Sequence, residues 1–161
     1  MYKTQADEVR DWLRAYLKDE EEIDELFEKL HTIRATATSV GAQKITDMPR
    51  VPSSDKDTLI EYVIRTDELE RQIEERIRTH QLSKQAIENV VELMESPKQQ
   101  KIIRYRYIEG MEWREVIYNC YRDKKDFAVK IKAYSKRVYR DHEKALLEMA
   151  RKWGKKETDQ H

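Results

Sequence analysis

The chain has 161 residues, of which 40% are charged, and it contains only three glycines and three prolines. This composition favours helices and predicts an all-α protein. The single cysteine, Cys120, excludes an intrachain disulfide and a cysteine-rich zinc site, and no apolar run reaches the length of a membrane span or a signal-peptide core, so we expect a cytoplasmic protein.

The net charge of zero conceals a strong polarity along the chain. Residues 1–96 carry 14 Lys and Arg against 22 Asp and Glu, whereas residues 97–161 carry 18 against 10. A basic segment is what the neutralisation of phosphates requires, and an acidic segment remains available to a protein partner. Solvated helical faces are the ordinary alternative explanation of such charges.

The N-terminal region, residues 1–81, is predicted to be an acidic helical hairpin. Its first helix carries a seven-residue repeat, interrupted at Asp19, and its second helix carries another narrow stripe, with a loop predicted over residues 35–54 between them. The first stripe contains Val9, Trp12, Tyr16, Ile23, Leu26, Leu30 and Ile33, and the second contains Leu59, Tyr62, Leu69, Ile73 and Ile77. Such stripes are typical of coiled-coil-like pairs. The pair serves either to support the C-terminal part or to mediate homodimerisation or docking to another protein.

Shorter helices are predicted for residues 82–153, followed by a disordered tail over residues 154–161. Ser83 is a candidate helix cap, and Ser96-Pro97 repeats this start signal with proline at the first helical position. Gly110 is suited to end the helix that follows, and Glu112-Trp113 begins the next one. Ile87, Val90, Val91 and Met94 are predicted to face a core, and the helix that Ser96-Pro97 begins carries Ile102, Ile103 and Tyr107.

A helix predicted to begin at Ser135, as its N-cap, has two distinct faces. Spaced at 100° per residue, Lys136, Arg137, Arg140 and Lys144 share one face, whereas Val138, His142, Ala145, Leu146 and Met149 share the opposite one. We expect Ser135, Lys136, Arg137, Arg140 and Lys144 to bind DNA, since in a helix-turn-helix the residues near the start of the recognition helix reach base edges. We therefore expect Arg137 and Arg140 to contact bases, because a guanidinium can bond guanine O6 and N7 together.

Basic residues outside this face are expected to add phosphate contacts. They are Lys124, Lys125, Lys130 and Lys132, which precede Ser135, and Arg114 on the helix that starts near Glu112. Trp113, Val116 and Ile117 of that helix are predicted to face the core.

No motif for catalysis or metal binding is found in the sequence. The four histidines are scattered, no glycine-rich phosphate loop is present, and Cys120 has no histidine or acid nearby in sequence to activate it. We predict a non-enzyme without metal or cofactor, in which His142 is either a hydrogen-bonded core residue or a DNA-facing one.

Two segments carry a resemblance to a known family. They are RYIEGMEWREVI, from Arg106 to Ile117, and YSKRVYRDHEKAL, from Tyr134 to Leu146. Together they resemble the C-terminal part of phage late-transcription regulators of the RinA and ArpU type, which in turn resemble region four of sigma factors. The resemblance covers about the last third of the chain. It implies a sequence-specific DNA-binding activator of phage or phage-related genes that acts with the host RNA polymerase, in a bacterial cytoplasm.

The sequence departs from that family between Ile117 and Ser135, where 17 residues replace a short turn. Either the second helix continues past Ile117, or a basic loop extends beside the DNA. Two other functions remain open at this point: a DNA-packaging protein like the phage small terminase, and a module that binds an acidic protein without DNA specificity.

Overall fold

The computed structural model describes residues 4–43 and 54–158, and it describes side chains over residues 4–38 and 56–153. This part of the chain contains five α-helices, one π-helical turn and no strand, which confirms the all-α prediction. The elements are α1 (Gln5–Gln43), α2 (Ser54–Glu92), α3 (Pro97–Ile103), the π-helical turn (Arg104–Ile108), α4 (Trp113–Tyr121) and α5 (Ile131–Thr158). None of the described helices is both long and apolar enough to cross a membrane.

The chain divides into two compact units. Met1–Lys18 together with Leu82–His161 form one, called here the core unit, and Asp19–Gln81 form the other, called the paired-helix unit. Helices α1 and α2 each contribute to both. Residues 1–18, which the sequence assigned to the N-terminal region, therefore group with the C-terminal helices, because Val9 and Leu13 share a cluster with Ile87 and Leu146.

The long helices extend further than the sequence predicted. Helix α1 runs without a break at Asp19 to Gln43, and α2 begins at Ser54, so the predicted loop is wrong for residues 35–43 and for Ser54. Residues 44–53 lie outside the described residues. Threonines here stay within the helix by donating their hydroxyls to the carbonyl four residues earlier, as Thr36 does to Thr32 at 2.8 Å.

The helix start predicted at Ser83 is also wrong, because α2 is continuous through it. A serine caps a helix only where the residues before it are not helical. No glycine or proline lies between Pro52 and Pro97, so nothing interrupts α2 before Ser83. At the C-terminus, α5 continues to Thr158, so the predicted disordered tail is wrong for residues 154–158, and residues 159–161 lie outside the described part.

The paired-helix unit is held by a narrow apolar stripe and by ion pairs. Leu30 of α1 packs with Leu69 and Ile73 of α2, and Leu26, Ile33 and Ile77 flank them. Arg76 pairs with Asp19 at 3.7 Å and with Glu22. Further along, Arg34 pairs with Glu70. Later residues of α1 thus meet earlier residues of α2, which is an antiparallel arrangement.

The core unit contains a broad apolar interior. Buried side chains from the start of α1, the end of α2, α3 and α5 form one cluster, which comprises Ala6, Val9, Leu13, Tyr16, Ile87, Val90, Val91, Met94, Ile103, Tyr107, Ala145, Leu146, Met149 and Ala150. Trp12 and Trp153 meet edge to face beside it, with ring centroids 4.5 Å apart. Arg10 of α1 donates to both carboxylate oxygens of Glu143 at 2.5 Å, which fixes α5 against α1.

Several helix ends in this unit lie where the sequence predicted them. Ser96 caps α3 by accepting a hydrogen bond from the Gln99 amide at 3.3 Å, and Pro97 occupies the first turn, as predicted. Gly110 has a φ of +67°, in the left-handed region that glycine favours, and it separates the π-helical turn from α4. The Glu112 amide donates to the Glu115 carboxylate at 3.2 Å, which stabilises the start of α4.

Candidate nucleic-acid interface

The connection between α4 and α5 is shorter than the sequence pattern indicated. Helix α4 continues past Ile117 to Tyr121, and α5 begins at Ile131, so residues 122–130 alone connect them. Backbone hydrogen bonds stabilise this segment. The Lys124 amide donates to the Tyr121 carbonyl at 3.0 Å, and the Lys130 amide donates to the Asp126 carbonyl at 2.9 Å. The apparent insertion is thus partly helical and partly a hydrogen-bonded turn.

A second apolar cluster lies under this connection. It joins α3, α4 and α5 through Ile102, Val116, Ile117, Tyr121, Tyr134 and Val138. The rings of Tyr121 and Tyr134 stack at 4.5 Å, and Phe127 from the turn lies 6.1 Å from Tyr134. The aromatic residues of the turn and of both helices therefore hold α4 and α5 together.

The first part of α5 presents the basic face that its sequence predicted. Lys136, Arg137, Arg140 and Lys144 are all exposed. The residues predicted for the opposite face, Val138, His142, Ala145, Leu146 and Met149, are all buried. Each cation is therefore carried by a helix whose other side is anchored in the core unit.

Ser135 does not cap this helix, contrary to the prediction. It lies in the second turn of α5, where its hydroxyl donates to the Ile131 carbonyl at 2.8 Å. The helix starts earlier because the turn leads directly into it through the hydrogen bond from the Tyr134 amide to the Lys130 carbonyl at 3.1 Å. Ser135 is half-buried and is not positioned as a helix terminus.

Arg137 belongs to a chain of contacts that the sequence did not reveal. Its guanidinium carbon lies 5.4 Å from the centre of the Tyr134 ring, and the Tyr134 hydroxyl donates to Asp126 at 2.5 Å. This hydrogen bond holds the pKa of the Asp126 carboxyl below its usual range. Asp126 also pairs with Lys130 at 3.4 Å, which partly compensates that lysine's charge.

The remaining predicted contact residues lie on three neighbouring elements. Lys124 and Lys125 are exposed in the turn, Lys132 is exposed in the first turn of α5, and Arg114 is exposed on α4. No ion pair involves any of these four among the described residues. All of the predicted basic residues therefore lie in the core unit, on α4, the turn and α5.

His142 is a core residue, and the DNA-facing alternative is wrong. Its Nε2 lies 2.8 Å from the Tyr107 hydroxyl, and its ring meets Trp113 edge to face at 4.6 Å. Burial lowers the pKa of His142 to about 4, so the ring is neutral at pH 7. The sequence indicated this burial, because His142 lies within an apolar stripe of the helix.

Arg106 stabilises the start of α4, a role that sequence reasoning missed. Its guanidinium lies 5.1 Å from the Trp113 ring and donates to the Met111 carbonyl at 2.8 Å. Trp113 also meets Tyr139 of α5 edge to face at 5.2 Å. Trp113 is half-buried between these groups, as its predicted inward orientation requires, while Val116 and Ile117 are fully enclosed.

Metal-binding and thiol chemistry find no support within the described residues. No group of histidine, cysteine, aspartate or glutamate residues in this part is arranged to hold a metal ion. Cys120 is half-buried, and burial raises the pKa of its thiol, which disfavours the reactive thiolate.

Comparison with protein-family models, curated proteins and solved structures found no match for this chain.

Proposed function

We propose that this protein is a sequence-specific regulator of transcription that binds double-stranded DNA through α4, the turn and α5. The observation that carries this proposal is the basic face of α5, where four exposed cations oppose a fully buried apolar face. In this proposal α4 and α5 act as a helix-turn-helix, with α5 as the recognition helix.

The size of α5 suits the major groove. An α-helix with its side chains is about 10–12 Å across, which matches the width of about 12 Å of that groove. Arg137 and Arg140 are the proposed base-reading residues. Tyr134 holds the Arg137 guanidinium in place, whereas Arg140 has no ion pair or ring contact within the described part of the chain.

The other basic residues are proposed to contact the phosphate backbone. Lys124, Lys125 and Lys132 are exposed beside α5, and Arg114 is exposed on α4, so each can approach a phosphate without first breaking an ion pair. Each contact made adds nearly one to the slope of log affinity against log salt concentration. A steep salt dependence is therefore part of the proposal.

The biological setting is proposed from the sequence resemblance and the charge distribution. The resemblance supports an activator of phage or phage-related genes that works with the host RNA polymerase. The acidic segment over residues 1–96, with a net charge of −8, is the proposed contact for a protein partner.

Selection of bound sequences from random DNA with the purified full chain tests this proposal. A recovered motif is expected, together with binding that weakens steeply as salt rises. The double variant Arg137→Ala/Arg140→Ala is expected to lose at least about thirtyfold in affinity for that motif, because each bidentate base contact contributes about 1–3 kcal/mol.

The matched control is Arg71→Ala/Arg78→Ala, which removes the same charge from exposed positions on α2 in the paired-helix unit. This variant is expected to bind the motif within about threefold of the parent. Equal loss in both variants, or affinity that does not change with salt, would contradict DNA recognition by α5 and favour a module that binds an acidic protein.

A further inference from the structure

Helix α2 has a second apolar face in the paired-helix unit. Leu59, Ile60, Val63 and Ile64 are exposed to 62%, 56%, 46% and 52% respectively. Leu59, which the sequence placed in the stripe facing α1, is thus the most exposed of the four. At about 100° per residue, Ile60 and Ile64 lie about 140–180° from Leu69 and Ile73, which pack against α1, whereas Val63 lies about 80–120° from them and Leu59 lies about 40–80° from them, at the edge of the patch.

Such a face is unusual for a protein surface. Four large apolar side chains within six residues form one contiguous patch, and patches of this kind mark interaction sites more often than chance exposure. The apolar cluster that joins α1 and α2 in the described residues does not include these four side chains. The patch is therefore available to a partner outside the described part of this unit.

The charges at the two ends of the patch indicate what that partner is. Lys56 precedes Ile60 by four residues and Asp67 follows Val63 by four, so that 56, 60, 63 and 67 fall on one helix face. Both end residues are exposed, and neither has an ion pair among the described residues. The spacing of four, three and four reads the same in both directions, with a positive charge at one end and a negative charge at the other.

We propose that this face binds the same face of a second copy of the chain, with the two α2 helices antiparallel. A two-fold axis between residues 61 and 62 places Ile60 opposite Val63 of the second copy and Leu59 opposite its Ile64. The same axis places Lys56 opposite Asp67 twice, once at each end. This self-complementarity is the property that a two-fold symmetric interface requires.

A parallel arrangement of the same faces is disfavoured by these charges. It would place Lys56 against Lys56 and Asp67 against Asp67, and like charges at such positions are destabilising. The antiparallel dimer does not depend on DNA binding. If both hold, the protein carries two copies of the basic α5 face, and its DNA site has two half-sites.

The oligomeric state of the full chain tests the interface directly. Sedimentation equilibrium over about 1–200 μM, a range suited to a small interface, is expected to show a mass of twice 19.5 kDa at the upper end. The variant Val63→Glu is expected to weaken the dimer at least about a hundredfold, because two carboxylates are then buried between apolar side chains.

The matched control is Phe27→Glu, since Phe27 of α1 has the same 46% exposure as Val63 but lies outside the patch. It is expected to remain a dimer, and far-ultraviolet circular dichroism checks that both variants keep their helical content. A monomeric parent chain, or equal weakening by both variants, would overturn the proposal.

A charge exchange tests the antiparallel register. Lys56→Glu and Asp67→Lys are each expected to weaken the dimer roughly tenfold, because two-fold symmetry makes every substitution act twice. The double variant Lys56→Glu/Asp67→Lys restores both opposite-charge contacts and is expected to return to within about threefold of the parent. A double variant no tighter than the two single ones would overturn this register. DNA affinity is measured separately, so failure of the dimer leaves the proposed DNA recognition standing, and the reverse also holds.

Discussion

The two units of this protein are built from the same two long helices but are stabilised differently. In the core unit, α1 and α2 pack with α3 and α5 in one broad apolar cluster, and α3, α4 and α5 form a second one. In the paired-helix unit, the apolar contact narrows to Leu30, Leu69 and Ile73 with three flanking side chains, and ion pairs flank it. Each long helix therefore passes from a densely packed region to one with only a narrow apolar contact. We expect local stability to differ between these two parts of the same helix.

The natural fluorescent probes report on only one of these units. All three tryptophans, Trp12, Trp113 and Trp153, belong to the core unit, whereas both units contribute to the helical circular dichroism signal. The difference between the two units can thus be followed in the unmodified protein by comparing the two signals during unfolding.

The largest expected effect is the loss of a core leucine. Leu146→Ala is expected to destabilise the core unit by about 3–5 kcal/mol, because Leu146 is fully buried and its neighbours cannot collapse into the space it leaves. Leu69→Ala in the paired-helix unit is expected to cost about 2 kcal/mol, because its narrow seam can relax. Urea unfolding followed by tryptophan fluorescence and by circular dichroism measures both. Equal costs, or a larger cost for Leu69→Ala, would remove the proposed difference between the units.

The next effect is a pH dependence of the core unit. The pKa of His142 is about 4 in the folded chain and 6.5 in its ordinary state, so the unfolded chain takes up a proton at a higher pH than the folded one. Stability is therefore full above pH 6.5 and is lost as pH falls toward about 4. At about 1.4 kcal/mol for each pKa unit, the loss reaches at most about 3.5 kcal/mol.

Unfolding by urea at several pH values between 7 and 4.5, followed by tryptophan fluorescence, measures this loss. The variant His142→Gln is expected to flatten the dependence, whereas His31→Gln, a change at an exposed position of the paired-helix unit, keeps His142 and should keep the slope. A slope that survives in His142→Gln would assign the pH dependence to other groups.

The smallest effect is expected from the ion pairs of the paired-helix unit. Asp19 lies 3.7 Å from Arg76 and 3.2 Å from His80, and it is partly exposed. Asp19→Asn is expected to destabilise this unit by less than about 1 kcal/mol, and the difference should shrink as salt is added. Amide hydrogen exchange along α1 and α2 measures it locally.

The control for that measurement is Asp24→Asn, at an exposed position of α1 that has no ion pair in the described part of the structure. It is expected to leave exchange unchanged. A loss above about 2 kcal/mol in Asp19→Asn, with no change on adding salt, would mean that this pair is effectively buried and that the seam is held more by charge than by apolar contact.

Short-range signals in the sequence were sufficient to predict several helix ends in the core unit. Ser96 with Pro97, Gly110 and Glu112 mark helix ends where the structure has them, because each residue satisfies or releases backbone groups within a few positions of itself. The buried face of α5 also followed from helical periodicity, since Val138 and Leu146 repeat at the spacing of one helix side.

Signals of the same kind failed at Ser83 and Ser135. Both residues are good caps, but a cap forms only where the backbone before it leaves the helix, and in both places the helix begins earlier. What precedes Ser135 is a turn organised by Phe127, Asp126 and Tyr134, whose ring and hydroxyl contacts join residues from different elements. Contacts of this kind have no periodic trace in the sequence.

The sequence by itself determined that the chain is helical, which sides of its helices are apolar, and that Lys136, Arg137, Arg140 and Lys144 share one face of α5. These properties depend on the composition and on the 3.6-residue period of a helix, and both can be read locally. The tertiary structure alone decided that the start of α1 packs with α5, that His142 is buried against Tyr107, and that Leu59 and Ile60 of α2 are exposed. A helical stripe shows which residues are to be buried, but the partner that covers it is chosen by packing between segments far apart in the chain.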